Sequence, residues 1–117
     1  NEEDDYIEQL RRLTHKPIIQ AFRITGVEEV IKAQNSIADC ILLDAGAGTG
    51  TSFDWKLVQN IKRPYFLAGG LNAQNAKAAL SILKPYALDV SSGIETNGLK
   101  DTRKMAEFIR AVREEAL

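Results

Sequence analysis

Tyr65-Phe66-Leu67-Ala68-Gly69-Gly70 and Ala87-Leu88-Asp89-Val90-Ser91-Ser92-Gly93 follow one pattern: about four residues, mostly apolar, that break into glycine or serine. Upstream, Cys40-Ile41-Leu42-Leu43 ends at Asp44, and Pro17-Ile18-Ile19-Gln20-Ala21-Phe22 makes a further short apolar run. Runs of this length bounded by turn residues read as buried strands. They end near residues 22, 44, 68 and 90, about 22–24 residues apart, and a helix-like stretch follows each. Strict alternation of this kind predicts an α/β chain of parallel (β/α) repeats with right-handed crossovers. The strands read as apolar on both faces, as for a parallel sheet covered on both sides. A four-stranded doubly wound sheet and part of a (β/α)8 barrel both satisfy the spacing. In either, ligands occupy the carboxyl ends of the strands, where Asp44, Gly69-Gly70 and Ser91-Ser92-Gly93 fall.

The intervening stretches carry helical periodicity. Tyr6, Ile7, Leu10 and Leu13 form a stripe over Glu2 to Leu13, with acidic residues at its start, Arg11 and Arg12 near its end and Pro17 beyond. Val27 to Ala33 reads as a short helix capped by Thr25, with Val30 and Ile31 inward. Phe53 to Ile61 reads as partly helical. A helix over Ala73–Leu83 would be capped by Asn72 and face inward through Ala76, Ala79, Leu80 and Leu83. The last helix runs from about Asp101 to Glu115, with Met105, Phe108, Ile109 and Val112 as its stripe.

Composition removes several functions. The 117 residues carry 15 basic and 16 acidic side chains, a net charge of −1, which gives no footprint for nucleic acid or an anionic membrane surface. With 44% hydrophobic and 26% charged residues, the chain has ordinary globular composition. One cysteine, Cys40, and one histidine, His15, leave no basis for a disulfide or a structural metal site. No apolar run approaches the ~20 residues of a membrane span, and the acidic start is unlike a signal peptide. A cytoplasmic protein is expected. The first residue, Asn1, is not methionine, which reads as the mark of a cut chain.

A small set of residues could carry chemistry. Asp44, ending an apolar strand, reads either as a cap for the following loop or as a general acid or base. Gly46 to Ser52 lacks the spacing of a dinucleotide fingerprint or a Walker loop, and reads as a turn or as a lid beside Asp44. Gly69-Gly70 and Ser91-Ser92-Gly93, at consecutive strand ends, suit a phosphate held by backbone N–H groups. Asp89, inside the fourth strand, reads as a buried structural acceptor or as a substrate contact. Asp54 reads as a helix cap. Cys40 stands at the far end of its strand from Asp44 and reads as core.

These strand-end signatures together resemble phosphoribosylanthranilate isomerase. The matching stretches are Leu42-Leu43-Asp44, Gly48-Thr49-Gly50 with Phe53-Asp54-Trp55, Leu67-Ala68-Gly69-Gly70-Leu71 with Asn75, Asp89-Val90-Ser91-Ser92-Gly93-Ile94-Glu95 and Gly98-Leu99-Lys100-Asp101. They keep order and spacing over Asp39 to Lys104; one departure is Ala47 where the family usually has glycine. The resemblance implies that residues 1–117 are the C-terminal half of a (β/α)8 barrel, the fourth helix followed by strands five to eight, with the first half of the barrel absent. It implies an Amadori rearrangement of N-(5-phosphoribosyl)anthranilate in tryptophan biosynthesis, needing no metal or redox cofactor. Asp44 would be the general acid. Gly48, Gly69, Gly70, Ser91, Ser92 and Gly93 would hold the phosphorylated substrate, and Asp89 would touch it near the anthranilate. The family's general base, a cysteine in a Lys-Ile-Cys-Gly motif, and its carboxylate-binding arginine match no segment here, so the chain alone is expected to be inactive. A half-barrel that only binds phosphate, and a related enzyme such as indole-glycerol phosphate synthase, are the competing expectations. With open sheet edges and half a core, the chain is expected to self-associate or to pair with the missing N-terminal half.

Overall fold

The computed structural model describes residues 2–45 and 55–116. In chain order the elements are α1 (Glu2–Leu13), β1 (Ile19–Arg23), α2 (Val27–Gln34), β2 (Cys40–Asp44), a single 3-10 turn (Trp55–Leu57), β3 (Tyr65–Ala68), α3 (Ala76–Leu83), β4 (Ala87–Leu88), a second 3-10 turn (Ser92–Ile94), β5 (Glu95–Thr96), β6 (Leu99–Lys100) and α4 (Thr102–Ala116). β1 to β4 lie side by side in sequence order, every pair parallel. The register runs from Ile19–Cys40 to Arg23–Asp44, from Ile41–Tyr65 to Asp44–Ala68, and through Phe66–Ala87 and Leu67–Leu88. The four expected parallel strands are therefore present, with α2 between β1 and β2 and α3 between β3 and β4; between β2 and β3 the described residues hold only the 3-10 turn.

Among the described residues, the core cluster lies on one face of this sheet. Phe22, Ile24, Ile41, Leu43, Ala45, Tyr65 and Leu67 alternate onto that face and are buried against Ala33 of α2, Ala76 and Ala79 of α3 and Phe108 and Ala111 of α4. On the opposite face Ile19 is 51% exposed, Ala21 and Arg23 are exposed, and Cys40, Leu42, Asp44 and Phe66 are half-buried. The expectation of burial on both faces is thus corrected. The strand residues are apolar on both sides, but α2, α3 and α4 all feed one core cluster, leaving alternate residues without a cover.

Local chemistry explains the element ends. α2 is preceded by Gly26 with no side-chain cap, because the Thr25 hydroxyl instead donates to Glu29 Oε1 at 2.6 Å. The stripes are also narrower than their periodicity: Tyr6, Leu13, Ile31 and Ile109 are exposed, while Ile7, Ala33, Phe108 and Ala111 are buried. Arg63 donates to the carbonyls of Ser36 (2.8 Å) and Ala38 (3.0 Å), closing the loop between α2 and β2 against the start of β3. α1 is tied to that amino edge by Arg11, which reaches Asp39 and the Ile37 carbonyl. The Asp39 carboxylate accepts the Ile18 N–H at 2.8 Å, and that bond, followed by Arg11, holds its pKa below the usual aspartate range.

β4 is two residues long, shorter than the strand to Val90 that the apolar run predicts. Its ladder to β3 is extended at either end by the Tyr86 N–H to the Tyr65 carbonyl at 2.9 Å and the Asp89 N–H to the Leu67 carbonyl at 2.8 Å. α3 begins at Ala76 rather than Ala73, because residues 72–75 make a turn of their own. The β5–β6 hairpin has no counterpart among the expected elements. Its turn, Asn97-Gly98, has φ of 54° and 79°, the two positive values that a tight two-residue hairpin loop requires. Among the described residues no helix is long and apolar enough to cross a membrane.

Candidate functional site

The carboxyl edge of the sheet gathers the polar residues. Arg23, Asp44 and Ala68 are paired in register across β1, β2 and β3, so their side chains leave the same, uncovered face. Asp89 stands one step past the Leu67–Leu88 pair and extends the row. Strands spaced about 4.8 Å apart separate Asp44 from Asp89 by roughly 10 Å, with Ala68 at the intervening register position. The result is an open cleft of about 290 Å³ lined by Arg23, Asp44, Ala68, Gly69, Gly70, Asp89, Ser91 and Ser92. A larger hollow of about 500 Å³ lies at the amino edge, lined by Ile19, Cys40, Phe66, Tyr86 and others. It is mostly apolar and follows from the uncovered face rather than from any gathering of reactive groups.

Two loops build one side of the cleft. After β3, Gly69 and Gly70 turn the chain with φ of 96° and 65°, values that strain other residues. Asn75 then fixes the loop: its Nδ2 donates to the Gly70 carbonyl at 2.8 Å and its Oδ1 accepts the Asn72 N–H at 2.8 Å. Asn72 answers by accepting the N–H groups of Gln74 (2.9 Å) and Asn75 (3.0 Å) on Oδ1. Asn72 thus does cap a turn, four residues ahead of Ala76, where the α-helix proper begins. After β4, Ser91 leads into the 3-10 turn Ser92–Ile94, and here the two loops touch. A Cβ on Gly93 would lie 1.8 Å from the Leu71 carbonyl oxygen, so no other residue fits without separating the loops.

The second loop is fastened from behind. Lys100 Nζ donates to the Ser91 carbonyl (3.2 Å) and to Glu95 Oε2 (2.7 Å), and Lys104 Nζ donates to the Glu95 carbonyl (2.7 Å). Asp101 joins hairpin and helix. Its Oδ2 accepts the Thr96 hydroxyl at 2.7 Å, and its Oδ1 accepts the N–H groups of Arg103 (2.9 Å) and Lys104 (3.3 Å) at the start of α4. The Thr96 hydrogen bond, then those backbone N–H groups, hold the Asp101 carboxyl below the usual aspartate range.

Of the residues singled out from sequence, Asp44, Gly69, Gly70, Asp89, Ser91 and Ser92 line one cleft. Gly93 is not among its lining residues and sits at the loop crossing. Gly48, the stretch Gly46–Ser52 and Asp54 lie outside the described residues. Asp89 departs from its expected setting: it is exposed and follows β4 instead of being buried inside it, because the strand stops at Leu88. Sequence reasoning misses Arg23. The apolar run of β1 stops at Phe22, yet Arg23 holds the same terminal position in β1 that Asp44 holds in β2, and aligning the two strand ends would expose the pair. Asn75 and Lys100 carry a weaker signal, as polar residues within the matching stretches whose contacts only the folded loops reveal.

Comparison with known proteins places the chain beside one named family. The family model described as N-(5'phosphoribosyl)anthranilate (PRA) isomerase matches residues 1–111. The N-(5'-phosphoribosyl)anthranilate isomerase of Streptococcus gordonii is 42% identical over 113 residues, covering 94% of this chain and 56% of the relative. That of Endomicrobium trichonymphae is 39% identical over 117 residues, covering 96% and 57%. Among solved structures, phosphoribosyl anthranilate isomerase from Thermotoga maritima superposes with a TM-score of 0.78 at 32% identity, covering 92% of this chain and 57% of that one. A phosphoribosyl anthranilate isomerase in complex with reduced 1-(o-carboxyphenylamino)-1-deoxyribulose 5-phosphate gives 0.75 at 32% identity, covering 92% and 55%. The chain therefore spans a little over half the length of these relatives.

Proposed function

This chain belongs to the N-(5'-phosphoribosyl)anthranilate isomerase family, and from that premise we propose that it serves the Amadori rearrangement of N-(5-phosphoribosyl)anthranilate in tryptophan biosynthesis. In this reading residues 1–117 form the C-terminal half of a (β/α)8 barrel, β1 to β4 being its strands five to eight. The uncovered sheet face is then the barrel interior, which the other half closes. The observation that carries the reading is the shared cleft. One carboxylate, Asp44, lies at the same sheet edge as two adjacent loops, Gly69-Gly70 and Ser91-Ser92, whose backbones suit a phosphate.

Asp44 is the general acid. It protonates the furanose ring oxygen, the bond from that oxygen to C1' breaks, and the ring opens to a Schiff base. A base takes the proton from C2', and the resulting enol becomes the ketone. The loops after β3 and β4 hold the phosphate throughout, and Asp89, across the gap above Ala68, contacts the substrate near its anthranilate. Gly48 belongs to the same substrate-binding set. The general base and the arginine for the anthranilate carboxylate come from a segment outside residues 1–117, so the chain needs that half as its partner. The substrate is a small phosphorylated molecule.

The test is Asp44→Asn in the full-length enzyme. A positioned general acid contributes about 10²–10⁴ in rate, so kcat should fall at least a hundredfold while inorganic phosphate still binds. A kcat within a few fold of wild type would remove Asp44 from this role.

A further inference from the structure

We propose that Lys100 is a positioning residue for phosphate: it acts through the Ser91–Ser92 peptide and strengthens the backbone donor that this peptide offers. The inference rests on the phosphate role proposed for the loop after β4 and adds a residue to it. Two observations and one principle of amide chemistry carry it. Lys100 Nζ donates to the Ser91 carbonyl, whose own peptide N–H belongs to Ser92, a residue lining the cleft. A cation on a peptide carbonyl draws charge along the amide, so the N–H at its other end becomes a better donor. The ammonium is also aimed rather than merely nearby: Glu95 Oε2 holds it at 2.7 Å, and Glu95 itself is held by Lys104 on its carbonyl.

The hairpin explains why the lysine can reach. Glu95 and Lys100 are directly paired across β5 and β6, and the Asn97-Gly98 turn returns the chain within two residues. The Asp101 N–H to the Ile94 carbonyl at 2.8 Å closes the base of the hairpin on the 3-10 turn itself. A hairpin of two such short strands has little core of its own to stabilise it. Its place here is that of a bracket, carrying one ammonium to the back of a loop whose front faces the cleft.

The experiment titrates inorganic phosphate into the intact protein and follows the amide resonances of Gly70, Ser92 and Gly93. Wild type should show saturable shifts at these amides. Lys100→Met should raise the phosphate Kd about five- to tenfold, the range for losing one charge-assisted contact, and Lys100→Arg should restore it. In turnover assays the same loss should appear in KM for the phosphorylated substrate with kcat nearly unchanged. Glu95→Gln separates aim from charge. It should weaken phosphate binding if it frees Lys100 from Ser91, and strengthen it if Lys100 acts only as a diffuse positive charge. Lys62→Met, which removes an equal charge at the amino edge, should leave Kd unchanged. A wild-type Kd in Lys100→Met, or tighter binding in Glu95→Gln, overturns the positioning role. Absence of saturable shifts in wild type overturns the phosphate reading of the loop and this inference with it. Loss of turnover in Asp44→Asn with phosphate shifts intact bears on the general acid alone.

Discussion

At the scale of single residues, two glycines near the cleft are required for different reasons, and substitution separates them. Gly98 has φ of 79° and open space within 4 Å of where a Cβ would stand, so Gly98→Ala meets only backbone strain, about 1 kcal/mol. Gly93 meets the Leu71 carbonyl at 1.8 Å, so Gly93→Ala must push two loops apart. The expected cost is about 1–3 kcal/mol, read as a lower urea midpoint, together with weakened phosphate binding because both loops line the cleft. A Gly93→Ala protein with wild-type midpoint and phosphate affinity would mean the crossing is not needed. Both glycines are visible in sequence. Their difference is not, since Ser-Gly and Asn-Gly announce a turn and say nothing of what passes beside it.

Elements show how polar side chains replace a missing hydrophobic core at the cleft. β5, β6 and the start of α4 are held to each other through Asp101, which accepts from Thr96 and from two backbone N–H groups of the helix. Its pKa is depressed in the folded protein, so its contribution to stability is fully present above the unfolded aspartate value of about 3.9 and is lost as pH falls through the lower folded value. Asp101→Asn keeps a side-chain acceptor but removes the charge. The gap in denaturation midpoint between wild type and this variant should be constant above about pH 5 and shrink as pH falls below about 4. A gap independent of pH over that range would take the charge out of the account. The last helix itself is legible because its stripe spans several turns. The hairpin is not, because strands of two residues show no periodicity, and only Asn97-Gly98 signals a turn.

For the whole molecule the decisive feature is the bare face of the sheet. Ile19 and Phe66 line a hollow of about 500 Å³ there, and Phe66 stacks on the exposed Tyr86 with ring centroids 5.8 Å apart. Apolar surface of this kind is covered in a stable protein. On the half-barrel reading proposed above, the 117-residue chain by itself should sediment as a dimer or larger species, and isomerase turnover should appear only with the complementary half present. A clean monomer in sedimentation velocity would count against the first expectation, and turnover by the isolated chain against the second. The sequence by itself determined the succession of short strands, the parallel sheet and the place of Asp44, Gly69-Gly70 and Ser91-Ser92 at strand ends, because short apolar runs and turn residues are local signals. Only the tertiary structure decided which sheet face is covered, that Arg23 stands in register beside Asp44, and that Lys100 reaches the Ser91 carbonyl. Those facts depend on how separate segments lie against one another, and parallel pairing joins residues some twenty positions apart whose register no local pattern encodes.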